Sequence, residues 1–103
     1  MFTVITETTL KPGQEEDWDR AFKERISEAS RQPGWLGVNL LIPTDDMNKR
    51  VVVGTWQSQG DWDRWHQTDA FQQTRPKLAA ATKDDGQPHW YNVETAKGQA
   101  AQA

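Results

Sequence analysis

The chain has 103 residues, which fits one domain whose core buries a modest share of its surface, so that a partner subunit would help it. Twelve basic and 15 acidic residues are interspersed to a net charge of −3, leaving no basic stripe for nucleic acid and no acidic interaction tail. Cysteine is absent, which excludes a disulfide framework, thiolate metal ligands and thiol catalysis and suits a cytoplasmic protein.

The opening stretch FTVITETTL is rich in β-branched residues and predicts a strand, with Phe2, Val4, Thr6, Thr8 and Leu10 on one face. No basic-then-apolar leader and no apolar run approaching about 18 residues is found, so neither a signal peptide nor a membrane span is expected. Lys11-Pro12-Gly13 marks a turn. From Gln14 the period becomes helical: Trp18, Ala21, Phe22, Ile26 and Ala29 share a face. Glu15, Glu16 and Asp17 fall in the first turn, and Arg25 and Arg31 come late, as the helix dipole favours. Gln32-Pro33-Gly34 ends that helix.

WLGVNLLIP (35–43) predicts a second strand, with Leu36, Val38, Leu40 and Ile42 opposite Trp35, Gly37, Asn39 and Leu41. A polar turn (44–48) leads into a third strand, RVVVGTWQ (50–57), so the two form a hairpin. Ser58 and Asp61 resemble a capping box opening a second helix, on which Trp62, Trp65 and His66 share a face. Thr68 is placed to cap a continuation through Phe71, Thr74, Arg75 and Leu78, with Pro76 expected to kink it or start a new turn. Residues 83–86 read as a loop and HWYNVE (89–94) as the last strand. Residues 1–95 make one domain; 96–103 are small and polar and read as a flexible C-terminal tail.

The resulting order, β-α-β-β-α-β, is the α+β ferredoxin-like pattern: an antiparallel sheet with its helices on one face. Strands two and three are apolar on both faces, since Val51 and Val53 oppose Val52 and Trp56. Helices cover only one side, so the other side predicts a homodimer, sheet against sheet.

The expected cavity lies between sheet and helices. Trp65, Phe71 and Trp62 are candidate walls for a small aromatic molecule, or else plain core. Trp56 reads as packing or interface and Trp18 as core. Asn39 offers an amide from the second strand, unless neighbouring backbone satisfies it. Trp90 or Tyr91 enters from the last strand, or Tyr91 closes the dimer. Arg75 either meets an anionic oxygen or pairs with a carboxylate such as Asp69. His66 is the side chain of this region that titrates near neutrality, which makes it the candidate base or, failing that, a solvated helix residue. His89 reads as a surface residue. No Gly-rich phosphate loop and no His/carboxylate ligand spacing is found, so neither a cofactor nor a metal is expected.

LKPGQEEDW after a short strand, QPGWLGVNLL, and VVVGTWQSQGDWDRWHQTDAFQQTRPKL stand in an order that resembles the antibiotic biosynthesis monooxygenase family, part of the dimeric α+β barrel superfamily. The resemblance covers about residues 2–95. It implies a dimeric α+β barrel and, among other activities, cofactor-free oxygenation of phenols and quinols. In the heme-degrading branch an Asn of the first strand, a Trp of the second helix and a later His recur. Trp65 takes the Trp place, but Thr6 stands near the Asn place and Arg75 where the His ligand would be. The resemblance therefore implies oxygenation rather than heme breakdown, with a non-catalytic dimer binding a small hydrophobic ligand as the alternative.

Overall fold

A computed structural model describes residues 1–98. Of the expected tail 96–103, residues 99–103 lie outside the described residues. The elements are β1 (Phe2–Thr9), α1 (Glu15–Ala29), β2 (Trp35–Leu41), β3 (Lys49–Trp56), α2 (Gln59–His66), α3 (Asp69–Ala79) and β4 (Gln87–Asn92). The four strands form one antiparallel sheet in the order β2-β3-β1-β4. The architecture is the expected ferredoxin-like α+β fold, with the second helical segment divided in two.

Thr68 makes that division. Its hydroxyl donates to the Trp65 carbonyl at 2.7 Å and accepts from the Phe71 N–H at 3.2 Å, closing α2 and capping α3 at once. At the start of α2, Ser58 Oγ accepts from the Asp61 N–H at 3.2 Å, the N-cap half of the expected capping box, and donates to the Asp61 carboxylate at 2.9 Å, which thus engages the Ser58 hydroxyl. Asp61 also lies against Gly34, which holds a positive φ of 85° after α1; a side chain there would be strained and would strike the Asp61 carboxylate. Pro76 sits inside α3 without ending it.

The core lies between the helices and one sheet face. Trp18 and Phe22 of α1 stack at 5.0 Å and pack with Leu10, Leu78 and Ala81, joined by Val38, Leu40 and Val52 from the sheet. A second cluster gathers Ala29, Trp56 and Trp65, with Trp35, Trp62 and Phe71 against it. Arg50, 2% exposed, ties the β2–β3 hairpin to α1. Its Nε and Nη2 donate to the Asp19 carboxylate, and its Nη1 donates to the Met47 and Lys49 carbonyls.

Several expectations need correction. A β-bulge between Trp35 and Gly37 turns Trp35 to the helix side, where it meets Trp56 edge-on at 5.5 Å. β4 begins at Gln87, two residues early, because Gln87 and Pro88 pair with Glu7 and Thr6. Arg25 does not serve the helix dipole: α1 has no basic residue in its last turn, and the Arg25 side chain is drawn sideways to Thr74.

No described helix covers the second sheet face. Strand alternation puts Ile5, Val51, Val53, Leu41 and Tyr91 there, with Leu41 and Tyr91 about half exposed.

Candidate active site

A cavity of about 800 Å³ opens between the helix-facing side of the sheet and the helices. That volume suits an organic molecule of drug-like size. Val4, Thr6 and Gly54 contribute to its floor from the two central strands. Aromatic groups of α2 and α3 crowd one flank, and the loop from Thr82 to Gly86 borders the cavity as well.

His66 ends α2. Its Nδ1 lies 2.8 Å from the Trp62 carbonyl oxygen. A carbonyl only accepts, so Nδ1 carries the proton and the lone pair of the neutral ring sits on Nε2. The ring is wedged between Trp62, 4.0 Å away, and Phe71, 4.2 Å away. Burial pushes the imidazole below its usual range; the bond to Trp62 opposes this, the Arg25 and Arg75 cations reinforce it, and Asp63 opposes it. The net effect keeps His66 neutral near neutral pH, the form a general base requires.

Two guanidiniums share the cavity. Arg25 reaches in from α1 and holds its Cζ 4.3 Å above the Phe71 ring. Its Nε donates to Thr74 Oγ1 at 2.9 Å, and that hydroxyl donates to the Phe71 carbonyl at 2.8 Å. Burial, with the Arg75 charge adding to it, lowers Arg25 to about 10. Arg75 of α3 also lines the cavity. Among the described residues neither guanidinium has a carboxylate within ion-pair distance, so the pairing of Arg75 with Asp69 is not made.

Of the residues singled out in the sequence, Trp62, Trp65, His66, Phe71, Arg75 and Trp90 all line this cavity. Trp65 is both wall and core: it is 5% exposed, stacks on Trp56 at 6.5 Å and meets Phe71 edge-on at 5.6 Å. Trp90 meets Trp62 edge-on at 6.1 Å and is half exposed. Thr6 joins the floor as well.

Asn39 and Tyr91 are placed elsewhere, a correction to the expected lining. Asn39 pairs with Val53 and Tyr91 with Thr3, and alternation turns all four to the sheet's second face. His89, paired with Ile5, is exposed on that same face.

Arg25 and Thr74 are the site residues that the sequence reading missed. The signal was present: Arg25 falls three residues after Phe22 and four before Ala29, in the middle of the apolar stripe of α1. At the other flank, Asp84 accepts from the Thr8 hydroxyl at 2.9 Å and from the Thr9 and Gly86 N–H groups. Burial raises its carboxyl, but these bonds outweigh it and hold Asp84 below the ordinary carboxylate range. Among the described residues no group of three His, Asp or Glu is arranged to hold a metal ion.

Residues 1–77 match the family described as antibiotic biosynthesis monooxygenase. No curated protein matches the chain in sequence. Among solved structures it resembles a Nitrosomonas europaea protein carrying the same family name: TM-score 0.86, 18% identity, 92% of this chain and 100% of that one. It also resembles SnoaB, a cofactor-independent oxygenase from Streptomyces nogalater, with TM-score 0.83, 19% identity, and 92% and 94% coverage. A conserved protein from Methanosarcina mazei Go1 superposes at TM-score 0.85 with 16% identity, covering 90% and 92%. At these identities the structural likenesses establish the fold.

Proposed function

The chain belongs to the antibiotic biosynthesis monooxygenase family, and we propose that it is a cofactor-independent monooxygenase that oxidises a small phenol-, quinol- or anthrone-like substrate with dioxygen. The observation that carries this reading is the state of His66: a neutral imidazole with a bare Nε2, wedged between two aromatic rings at a cavity that also holds two cations.

For an anthrone the steps balance without an added reductant. Nε2 of His66 removes a proton from the ring methylene, and Arg75 faces the oxygen on which the negative charge is delocalised. The electron-rich anion passes an electron to dioxygen, and the radical pair combines at the same carbon to give a peroxide. Loss of water then leaves a carbonyl. One oxygen atom enters the product, the other departs as water with the two methylene hydrogens, and the substrate supplies all the electrons. The apolar walls formed by Trp62, Trp65 and Phe71 exclude water from the anion and its peroxide. The name of the neighbour SnoaB supports the same class of chemistry.

We also propose that the working unit is a cytoplasmic homodimer. Ile5, Val51, Val53, Leu41 and Tyr91 make an apolar sheet face that no described helix covers, and a second copy would bury it against its own twin. The absence of cysteine fits a reducing compartment. No described helix is long and apolar enough to cross a membrane.

The test is oxygen uptake with a panel of hydroquinones and anthrones in the presence of a chelator. Uptake that depends on His66 supports the proposal. Quenching of tryptophan fluorescence by the same compounds, with no oxygen consumed, would instead identify a binding protein.

A further inference from the structure

The two cavity-side arginines of the helix layer can be compared with Arg50, an arginine whose role is structural. Arg50 engages all three of its nitrogens with four acceptors. Arg25 engages only Nε, which donates to Thr74. Among the described residues its two terminal nitrogens have no hydrogen-bond acceptor. They are not sealed off either, because no buried side-chain nitrogen or oxygen among the described residues lacks a partner. They are therefore accessible, on a side chain that lines the cavity.

The neighbouring carboxylates of α1 are committed elsewhere: Glu24 pairs with Lys77 at 2.9 Å and Glu28 with Arg31 at 3.8 Å. The charge of Arg75 also bears on Arg25, both line one cavity, and among the described residues neither forms an ion pair with a carboxylate. A partly desolvated guanidinium with unused donors, reinforced by the charge of the exposed Arg75, forms a receptor for an anion.

Rigidity sharpens the inference. Thr74 is 2% exposed and anchored to the Phe71 carbonyl, so it fixes Nε; the Phe71 ring, its centroid 4.3 Å from Cζ, confines the guanidinium from one side. What remains is a preset fork of parallel N–H donors, the shape that matches the two oxygens of a carboxylate. Asp84 and Asp85 line the same cavity, and their negative charge opposes an anion beside them.

We propose that Arg25 is the receptor for a carboxylate carried on the substrate's ring system, so that the molecule taken by this site is an aromatic acid. The inference rests on the cavity being the reaction site proposed above. It sets specificity rather than chemistry: the carboxylate on Arg25 orients the ring against Trp62 and Phe71 with its reactive carbon toward His66.

The experiment compares anthraquinone-2-carboxylate with its neutral isostere, anthraquinone-2-carboxamide, by quenching of tryptophan fluorescence. The wild-type protein is expected to prefer the carboxylate roughly tenfold or more, the scale of a charge-assisted pair of hydrogen bonds. The preference should collapse to within about threefold in Arg25→Gln and shrink in Thr74→Val, which keeps the charge but frees its aim. Equal affinity for both compounds in the wild-type protein would overturn the proposal whatever Arg25→Gln does to folding. So would a preference lost in Arg75→Gln but kept in Arg25→Gln. A failure of the oxygenase reading looks different: the carboxylate preference stands while no compound consumes oxygen.

Discussion

His66 donates its Nδ1 proton to the carbonyl oxygen of Trp62, one turn earlier on the same short helix, across 2.8 Å. The bond fixes which nitrogen faces a ligand, and it ties the base to the helix that supplies the neighbouring aromatic wall. The proposed chemistry therefore hangs on the backbone of α2 as much as on the imidazole.

The first prediction concerns pH. Activity requires neutral His66, whose proton affinity is lowered. Turnover at low substrate should rise with pH below the ordinary imidazole range and be flat at neutrality and above. His66→Gln should lower kcat/KM by about 10²- to 10⁴-fold. Oxygen-electrode rates across pH check both; a rise that begins only above neutrality would assign the base elsewhere.

Stability should carry the same signature. The unfolded chain protonates its histidine more readily than the folded one, so the unfolded state binds more protons as pH drops below the ordinary imidazole range. Stability falls across that interval and levels off below the folded value. Asp84, also lowered, adds a further loss at more acidic pH, below the ordinary carboxylate value. Urea unfolding at a series of pH values should show the upper step in the wild-type protein and not in His66→Gln.

Trp62 and Trp18 separate binding from packing. Trp18 is 4% exposed and stacked on Phe22, and Trp18→Ala should cost about 3–5 kcal/mol of stability. Trp62 is only partly buried and contacts His66 and Trp90. Trp62→Ala should cost about 1–2 kcal/mol of stability, through lost aromatic contacts, yet weaken binding of a flat aromatic ligand on the order of tenfold. Chemical denaturation and fluorescence titration on the same preparations give both numbers.

Arg50 and Arg25 should part in the opposite sense. Arg50→Met leaves Asp19 and two carbonyls without their donor and should cost about 2–4 kcal/mol. Arg25→Gln removes an uncompensated charge and should leave the thermal midpoint close to that of the wild type. Calorimetry decides it: a large loss for Arg25→Gln would make that residue structural.

The sheet face is tested by charge. Val53 sits mid-strand between Ile5 and Asn39. Val53→Arg should turn a micromolar dimer into a monomer by light scattering, because an unpaired charge does not enter an apolar interface. A monomeric wild-type protein would remove the dimer from the proposal.

The fold was legible because several levels of the sequence agree. β-branched runs, a Pro-Gly turn, an apolar stripe from Trp18 to Ala29 and a Ser58–Asp61 cap all point to one order of elements. The site was only partly legible. Helical spacing put Trp62, Trp65 and His66 on one face of α2, and all three line the cavity, because period and face are local. Asn39 and Tyr91 went astray because which face of a strand meets the helices depends on register, and a one-residue change reverses every side chain. Trp35 was misplaced by the bulge beside it. Arg25 was hidden by a plausible local role at the end of its helix, while its real partner, Thr74, lies in another helix.

The two outermost strands share a property that bears on how this chain avoids clumping. At one margin β4 carries Pro88, which has no N–H to offer a newcomer; at the other, the irregularity beside Trp35 interrupts the run of backbone donors and acceptors on β2. Sideways recruitment of further chains, the route to fibres, is discouraged at both rims. The proposed broadside pairing of two sheets can thus close on itself without seeding runaway polymerisation.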